Sequence, residues 1–141
     1  METTVGFLLV STAFSNSLRS AGATGWSLRP AVVFEKRQRR EFHGFSLFFP
    51  EGRAGPPRWD LAPREVRPPS GPGTKPYTVA VGLILDANLW DRSDVFWPGG
   101  TTFTCMTTKA AQAIERASLS NVRLIPAEKF EIWEAAFAKY D

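Results

Sequence analysis

Phe103-Thr104-Cys105-Met106-Thr107-Thr108-Lys109-Ala110-Ala111-Gln112-Ala113-Ile114-Glu115-Arg116-Ala117 decides how the chain is read. It opens with four strand-like residues. Two hydroxyl residues follow, of the type that accepts the first free amides of a helix. Ala110, Ala111, Ile114 and Ala117 then recur at helical spacing. Ninety-six positions earlier the chain runs the same course. Phe7 to Val10 is apolar, Ser11 and Thr12 are hydroxylic, and Phe14, Leu18 and Ala21 share a helical face.

The likeness extends beyond the helices. Residues 5–34 align with 101–130 without a gap. The identical pairs are Phe7/Phe103, Thr12/Thr108, Ala21/Ala117, Leu28/Leu124, Pro30/Pro126, Ala31/Ala127 and Phe34/Phe130. Each helix is expected to end near Gly22 or Ser118. A turn then passes through Gly25 or Asn121, residue types that tolerate positive φ. A short strand follows, Trp26–Leu28 or Val122–Ile125, and stops at proline. The expected fold is therefore α+β. Two pseudo-repeated strand–helix–strand units, about 5–34 and 101–130, share one mixed sheet and one core within a single domain spanning 1–141.

Between the units, Glu41–Phe49 reads as a strand or hairpin arm, and Tyr77–Leu85 as a further strand. Eight of the 11 prolines fall between Pro50 and Pro76. That segment reads as an extended connector, since proline removes a ladder donor and blocks helix. Phe130, Trp133, Phe137 and Tyr140 are spaced by three and four, so Glu128–Tyr140 is expected to be an amphipathic C-terminal helix.

Composition narrows the chemistry. The 141 residues are 43% hydrophobic and 22% charged, a globular balance, with 11 Phe and 5 Trp. Cys105 and His43 are the sole residues of their types. A disulfide framework and a Cys/His zinc site are thereby excluded, as is any histidine triad that does not use His43. His43 has no nucleophile and orienting partner beside it in sequence, and Cys105 reads as a buried strand residue. Asp86, Asp91 and Asp94 form a tight acidic cluster. It lacks the turn glycine and closing glutamate of an EF-hand, so it reads as turn capping rather than metal binding. No cofactor motif is present, and a binding protein rather than an enzyme is expected.

The formal charge is +3 and the sequence pI about 9.4. Residues 1–76 carry 11 Lys/Arg against 6 Asp/Glu, and residues 77–141 carry 6 against 8. The densest run is Glu35-Lys36-Arg37-Gln38-Arg39-Arg40-Glu41. It reads first as a solvated turn, then as a surface for an acidic protein or for nucleic acid. Val5–Val10 is far short of the roughly 18 apolar residues of a membrane span and lacks a positive flank, so a cytoplasmic chain is expected. Trp90, Asp91, Arg92, Asp94 and Trp97 lie on one segment with the composition of a protein-binding hot spot. The competing reading is that the aromatics of this segment lid the core.

In order, Trp90-Asp91-Arg92-Ser93-Asp94-Val95-Phe96-Trp97-Pro98-Gly99-Gly100, Phe103–Thr108, the helix Ala110–Ala117 and Leu119–Pro126 resemble the bacterial immunity proteins of polymorphic-toxin systems. These include the swarm-inhibition group with a double CxxCG motif. Their pattern is an aspartate–aromatic turn, a strand, Ser/Thr-Glu-Arg, an amphipathic helix, Gly-Leu-Thr-Gly and an aromatic-x-Pro close. Here the motif cysteines are missing, and Thr108-Lys109-Ala110 replaces the charged pair after the cap. The resemblance implies a non-catalytic protein that binds and neutralises a toxin. The residues expected to meet the partner are Trp90, Asp91, Arg92, Asp94 and Trp97, together with Lys36, Arg37, Arg39 and Arg40.

Overall fold

The structure, a computed structural model, describes residues 8–134. Ser11 and Thr107 cap two helices of nine residues each, α1 (Thr12–Ser20) and α2 (Thr108–Arg116). The Ser11 hydroxyl accepts from the Phe14 amide at 3.3 Å, and the Thr107 hydroxyl from the Ala110 amide at 3.5 Å. Such caps contribute about 1 kcal/mol each. Both helices close at alanine, Ala21 or Ala117. The next residue turns left-handed, Gly22 at φ 63° and Ser118 at φ 49°. Asn121 is not left-handed, whereas Gly25 is, at φ 85°.

The chain is α+β, with nine strands in three sheets of three among the described residues. The first sheet holds β1 (Leu8–Ser11), β2 (Trp26–Glu35) and β3 (Arg40–Pro50), antiparallel and ordered β1-β3-β2. The second places β7 (Val95–Pro98) between the parallel β4 (Gly52–Ala54) and the antiparallel β8 (Cys105–Met106). The third places β6 (Tyr77–Val81) between β5 (Arg64–Arg67) and β9 (Glu131–Trp133).

Helix α1 packs on the front of the first sheet, and α2 packs against α1 and β8. Phe14 and Leu18 of α1 and Ala110 and Ile114 of α2 meet Val10, Phe48 and Val95 in one core. Phe48 is fully buried, with Phe14 edge-on at 5.3 Å and Trp26 stacked at 5.9 Å. A smaller core of Ala62 and Ala80, lined by Trp59, Ile84 and Ile132, sits under the third sheet.

Several expectations are corrected. The two strand–helix units do not share one mixed sheet, since β1 and β8 belong to different sheets. Outside the caps and helices the segments diverge. β2 runs on through Pro30 to Glu35, because an edge strand tolerates a missing donor, whereas Val122–Ile125 is not a strand. The Pro/Gly connector is partly sheet. Gly52–Ala54 and Arg64–Arg67 pair through backbone, which proline-flanked segments still supply. Tyr77–Leu85 stops as a strand at Val81, before Gly82 at φ 92°.

Glu128–Tyr140 does not begin as an α-helix. A 3-10 turn (Ala127–Lys129) leads into β9, where backbone pairing with β6 outweighs the three-and-four aromatic spacing. Phe130 packs instead against Phe103 and Trp59, and Trp133 stands against Tyr77. Phe137 and Tyr140, like Val5 and Phe7, lie outside the described residues.

Candidate functional site

Side-chain hydrogen bonds hold the turns of the segment 86–97. The Asp86 carboxylate accepts from the Asn88 amide at 2.9 Å and caps a 3-10 turn, Ala87–Leu89. The Asp91 carboxylate accepts from the Ser93 amide at 3.0 Å and the Arg53 amide at 2.8 Å, which ties the segment to β4. Burial would raise this carboxyl, but the two amides hold it below its usual value. Arg92 sits between at φ 70°, its guanidinium 5.4 Å over the Trp90 ring.

Asp94 is 8% exposed and is the hub of the molecule. One carboxylate oxygen accepts from the Thr24 amide at 3.0 Å and hydroxyl at 3.2 Å, and pairs with the Lys109 ammonium at 2.8 Å. The other accepts from the Thr107 hydroxyl at 2.8 Å. Burial alone would push the carboxyl up. Lys109, Thr24 and Thr107 outweigh it and hold the group down at about 2. The three aspartates therefore serve three separate turns and do not converge. Among the described residues no three His, Cys, Asp or Glu side chains gather as a metal site requires.

Backbone also crowds here. A Cβ on Gly25 or on Gly52 would stand 2.3 Å from the Val95 carbonyl oxygen. Glycine at both positions lets the α1–β2 turn, β4 and the strand entry at Val95 pack backbone to backbone.

The tryptophans are not one patch. Residues after Asp94 form β7, whose pleat sends Phe96 and Trp97 to opposite faces. Trp90 packs on Phe96 with centroids 5.6 Å apart, and its indole N–H donates to the Ser93 carbonyl at 3.1 Å. These rings border a cleft of about 280 Å³ beside Met106 and Thr107. Trp97, whose indole N–H donates to the Thr101 carbonyl, borders a different cleft of about 260 Å³. Ser27, Arg29, Phe49, Arg53 and Thr104 line that second cleft.

Lys36, Arg37, Arg39 and Arg40 lie at the tip of the β2–β3 hairpin, remote in sequence and structure from Asp94. All four are exposed, and none pairs with a carboxylate among the described residues. Val32, Phe34 and Phe42 of the same arm are also in solvent. His43 is exposed on β3, with its Nε2 3.5 Å from Glu41. Burial pushes the Cys105 thiol up to about 11, so it is protonated at neutral pH.

Sequence reasoning missed the arginine–aromatic stacks, among them Arg40 over Phe42 at 5.1 Å, Arg29 over Phe49 at 5.1 Å and Arg53 over Trp97 at 5.8 Å. The first was within reach, since Arg40 and Phe42 stand two apart on one strand face. Arg29 comes opposite Leu47, diagonal to Phe49, only through the register shift between Ala31 and Val33, which the turn at 36–39 does not set. No known protein family, curated protein or solved structure matches the chain.

Proposed function

We propose that this chain is an immunity protein, which binds a toxic protein in the cytoplasm and neutralises it by stoichiometric occlusion. It acts as a binding protein rather than a catalyst. The observation that carries the reading is the β2–β3 arm, which holds Val32, Phe34 and Phe42 in solvent beside four cations that pair with no carboxylate among the described residues. Exposed apolar side chains interleaved with arginine are the composition of protein-contact surfaces. The resemblance of residues 90–130 to toxin-neutralising proteins supplies the class of partner. On this reading the chain is one domain. The matched cap, helix and left-handed turn at 11–22 and 107–118 are what survives of a duplicated unit.

Co-expression with the product of the adjacent gene is the test. The neighbour is expected to arrest growth alone and to be silenced by this chain in a one-to-one complex. A harmless neighbour, or arrest that persists, overturns the proposal.

A second reading, a nucleic-acid-binding regulator, is favoured by the exposed Lys36, Arg37, Arg39 and Arg40. It requires binding to DNA or RNA that weakens steeply with salt.

A further inference from the structure

The first sheet is covered on its front by α1, with α2 packed against that helix. Its rear is more open. By register and pleat, Leu9, Arg29, Val33, Arg40, Phe42 and Phe49 share that rear face. Leu9 is 47% exposed and Phe42 38%. The face runs from the basic hairpin tip to the cleft that Arg29, Phe49, Arg53 and Trp97 line. Three guanidinium groups lie along it, each over an aromatic ring. Arg29, Arg40 and Arg53 form no ion pair among the described residues. The Arg53 guanidinium donates to the Pro50 and Gly52 carbonyls at 3.2 and 3.0 Å, so Arg29 is the cation at the cleft most open to a new partner.

We infer that this rear face docks an acidic surface of a partner protein, with one partner carboxylate entering the cleft that Arg29 and Arg53 line. The inference rests on the protein-binding reading above and names the chemistry of the partner. A guanidinium over a ring keeps its N–H groups at its edge, and Arg29, over Phe49, is positioned to take a carboxylate while keeping that contact. Ser27 and Thr104 add hydroxyl donors at the same cleft.

Two observations favour protein over nucleic acid. The rings of Phe42, Phe49 and Trp97 already carry guanidinium on a face, where a base would have to stack. Glu35, Glu41 and Glu51 interrupt the cations, and Glu51 lines the cleft itself without pairing to either arginine. Uniformly negative phosphate backbone is repelled by such interruptions, whereas a protein surface of mixed sign can match them.

The experiment is an NMR titration of the full chain with a short Glu/Asp-rich peptide, and separately with a short single-stranded oligothymidylate at the same ionic strength. The peptide is expected to shift the amides of Ser27, Arg29, Phe49 and Thr104. Arg29→Glu should weaken it by about tenfold or more, and Arg116→Glu on α2 should not. Arg29→Gln, which keeps the apolar stem, serves should the reversal disturb folding, and must also weaken the peptide. Absence of peptide shifts on this face, shifts unaffected by both Arg29 variants, or tighter oligothymidylate binding there overturns the inference. Growth arrest by the neighbouring gene product is read separately. Failure of that rescue refutes the toxin-neutralising role while leaving the peptide result standing.

Discussion

The Thr107 hydroxyl that caps α2 donates to the Asp94 carboxylate at 2.8 Å while accepting from the helix amide of Ala110. The same carboxylate takes the amide and hydroxyl of Thr24, in the turn that follows α1. Asp94 thus clamps the start of one helix to the exit of the other. The backbone repeats the connection, with the Val95 amide donating to the Thr24 carbonyl at 2.9 Å and the Thr107 amide to the Asp94 carbonyl at 2.8 Å.

Asp94→Ala leaves the part-buried Thr24 amide and the Thr107 hydroxyl without their acceptor. The expected loss is about 2–4 kcal/mol, measured by urea unfolding. Asp94→Asn should lose less than alanine, because its carbonyl oxygen can take the Thr24 and Lys109 donors while its amide group donates to the Thr107 hydroxyl, and chiefly the charge is lost. Lys109 is half exposed, so Lys109→Met should lose less than either, about 1 kcal/mol or under. Asp94 variants as stable as wild type would show that the backbone bonds alone hold the junction.

The pH dependence follows from the same group. Asp94 is held at about 2, below its ordinary value of 3.8. A carboxylate lowered by folding stabilises the fold above its unfolded pKa. That contribution is lost as pH falls through the folded value. Unfolding free energy should therefore decline as the solution is taken from about pH 4 toward pH 2. Asp94→Asn should flatten the part of the decline that Asp94 supplies. An unchanged slope in that variant would assign the acid sensitivity to other carboxylates.

The helices, their caps and the hairpin arm are legible in the residues, because hydroxyl caps, a three-to-four apolar period and a basic turn are local signals. The sheets are not. Gly52–Ala54 and Glu131–Trp133 become strands only because β7 and β6 present open edges, and no residue in either segment announces its partner. Trp90, Asp91, Asp94 and Trp97 were found as a group by composition. That Trp90, packed on Phe96, and Trp97 fall on opposite faces of β7 depended on knowing that a strand begins at Val95. The cleft arginines were missed because Arg29 and Arg53 meet across pairings far apart in sequence.

Gly52→Ala and Gly25→Ala should each cost about 3 kcal/mol or more, since the added methyl meets the Val95 carbonyl at 2.3 Å and that backbone is held by Thr24. Gly71→Ala is the control. A Cβ there meets nothing within 4 Å and φ is not left-handed, so stability should hold or rise by a few tenths of a kcal/mol. Thermal unfolding of the three variants checks the contrast. Equal melting temperatures would show that the Val95 crossing can relax.

Trp90 and Arg92 separate the two readings of the 90–97 segment. Trp90 is half-buried on Phe96 and satisfied by the Ser93 carbonyl, so Trp90→Ala should lower stability by about 2–3 kcal/mol before any partner is added. Arg92 is exposed and left-handed. Arg92→Gly removes a surface stack worth about 0.5–1 kcal/mol and relieves backbone strain of about 1 kcal/mol, so stability should stay level or rise slightly. Urea midpoints decide between them. A Trp90→Ala protein as stable as wild type yet unable to bind its partner would make the indole a contact residue. The expected fall in stability makes it part of the scaffold that carries Val95 and β7 into the core.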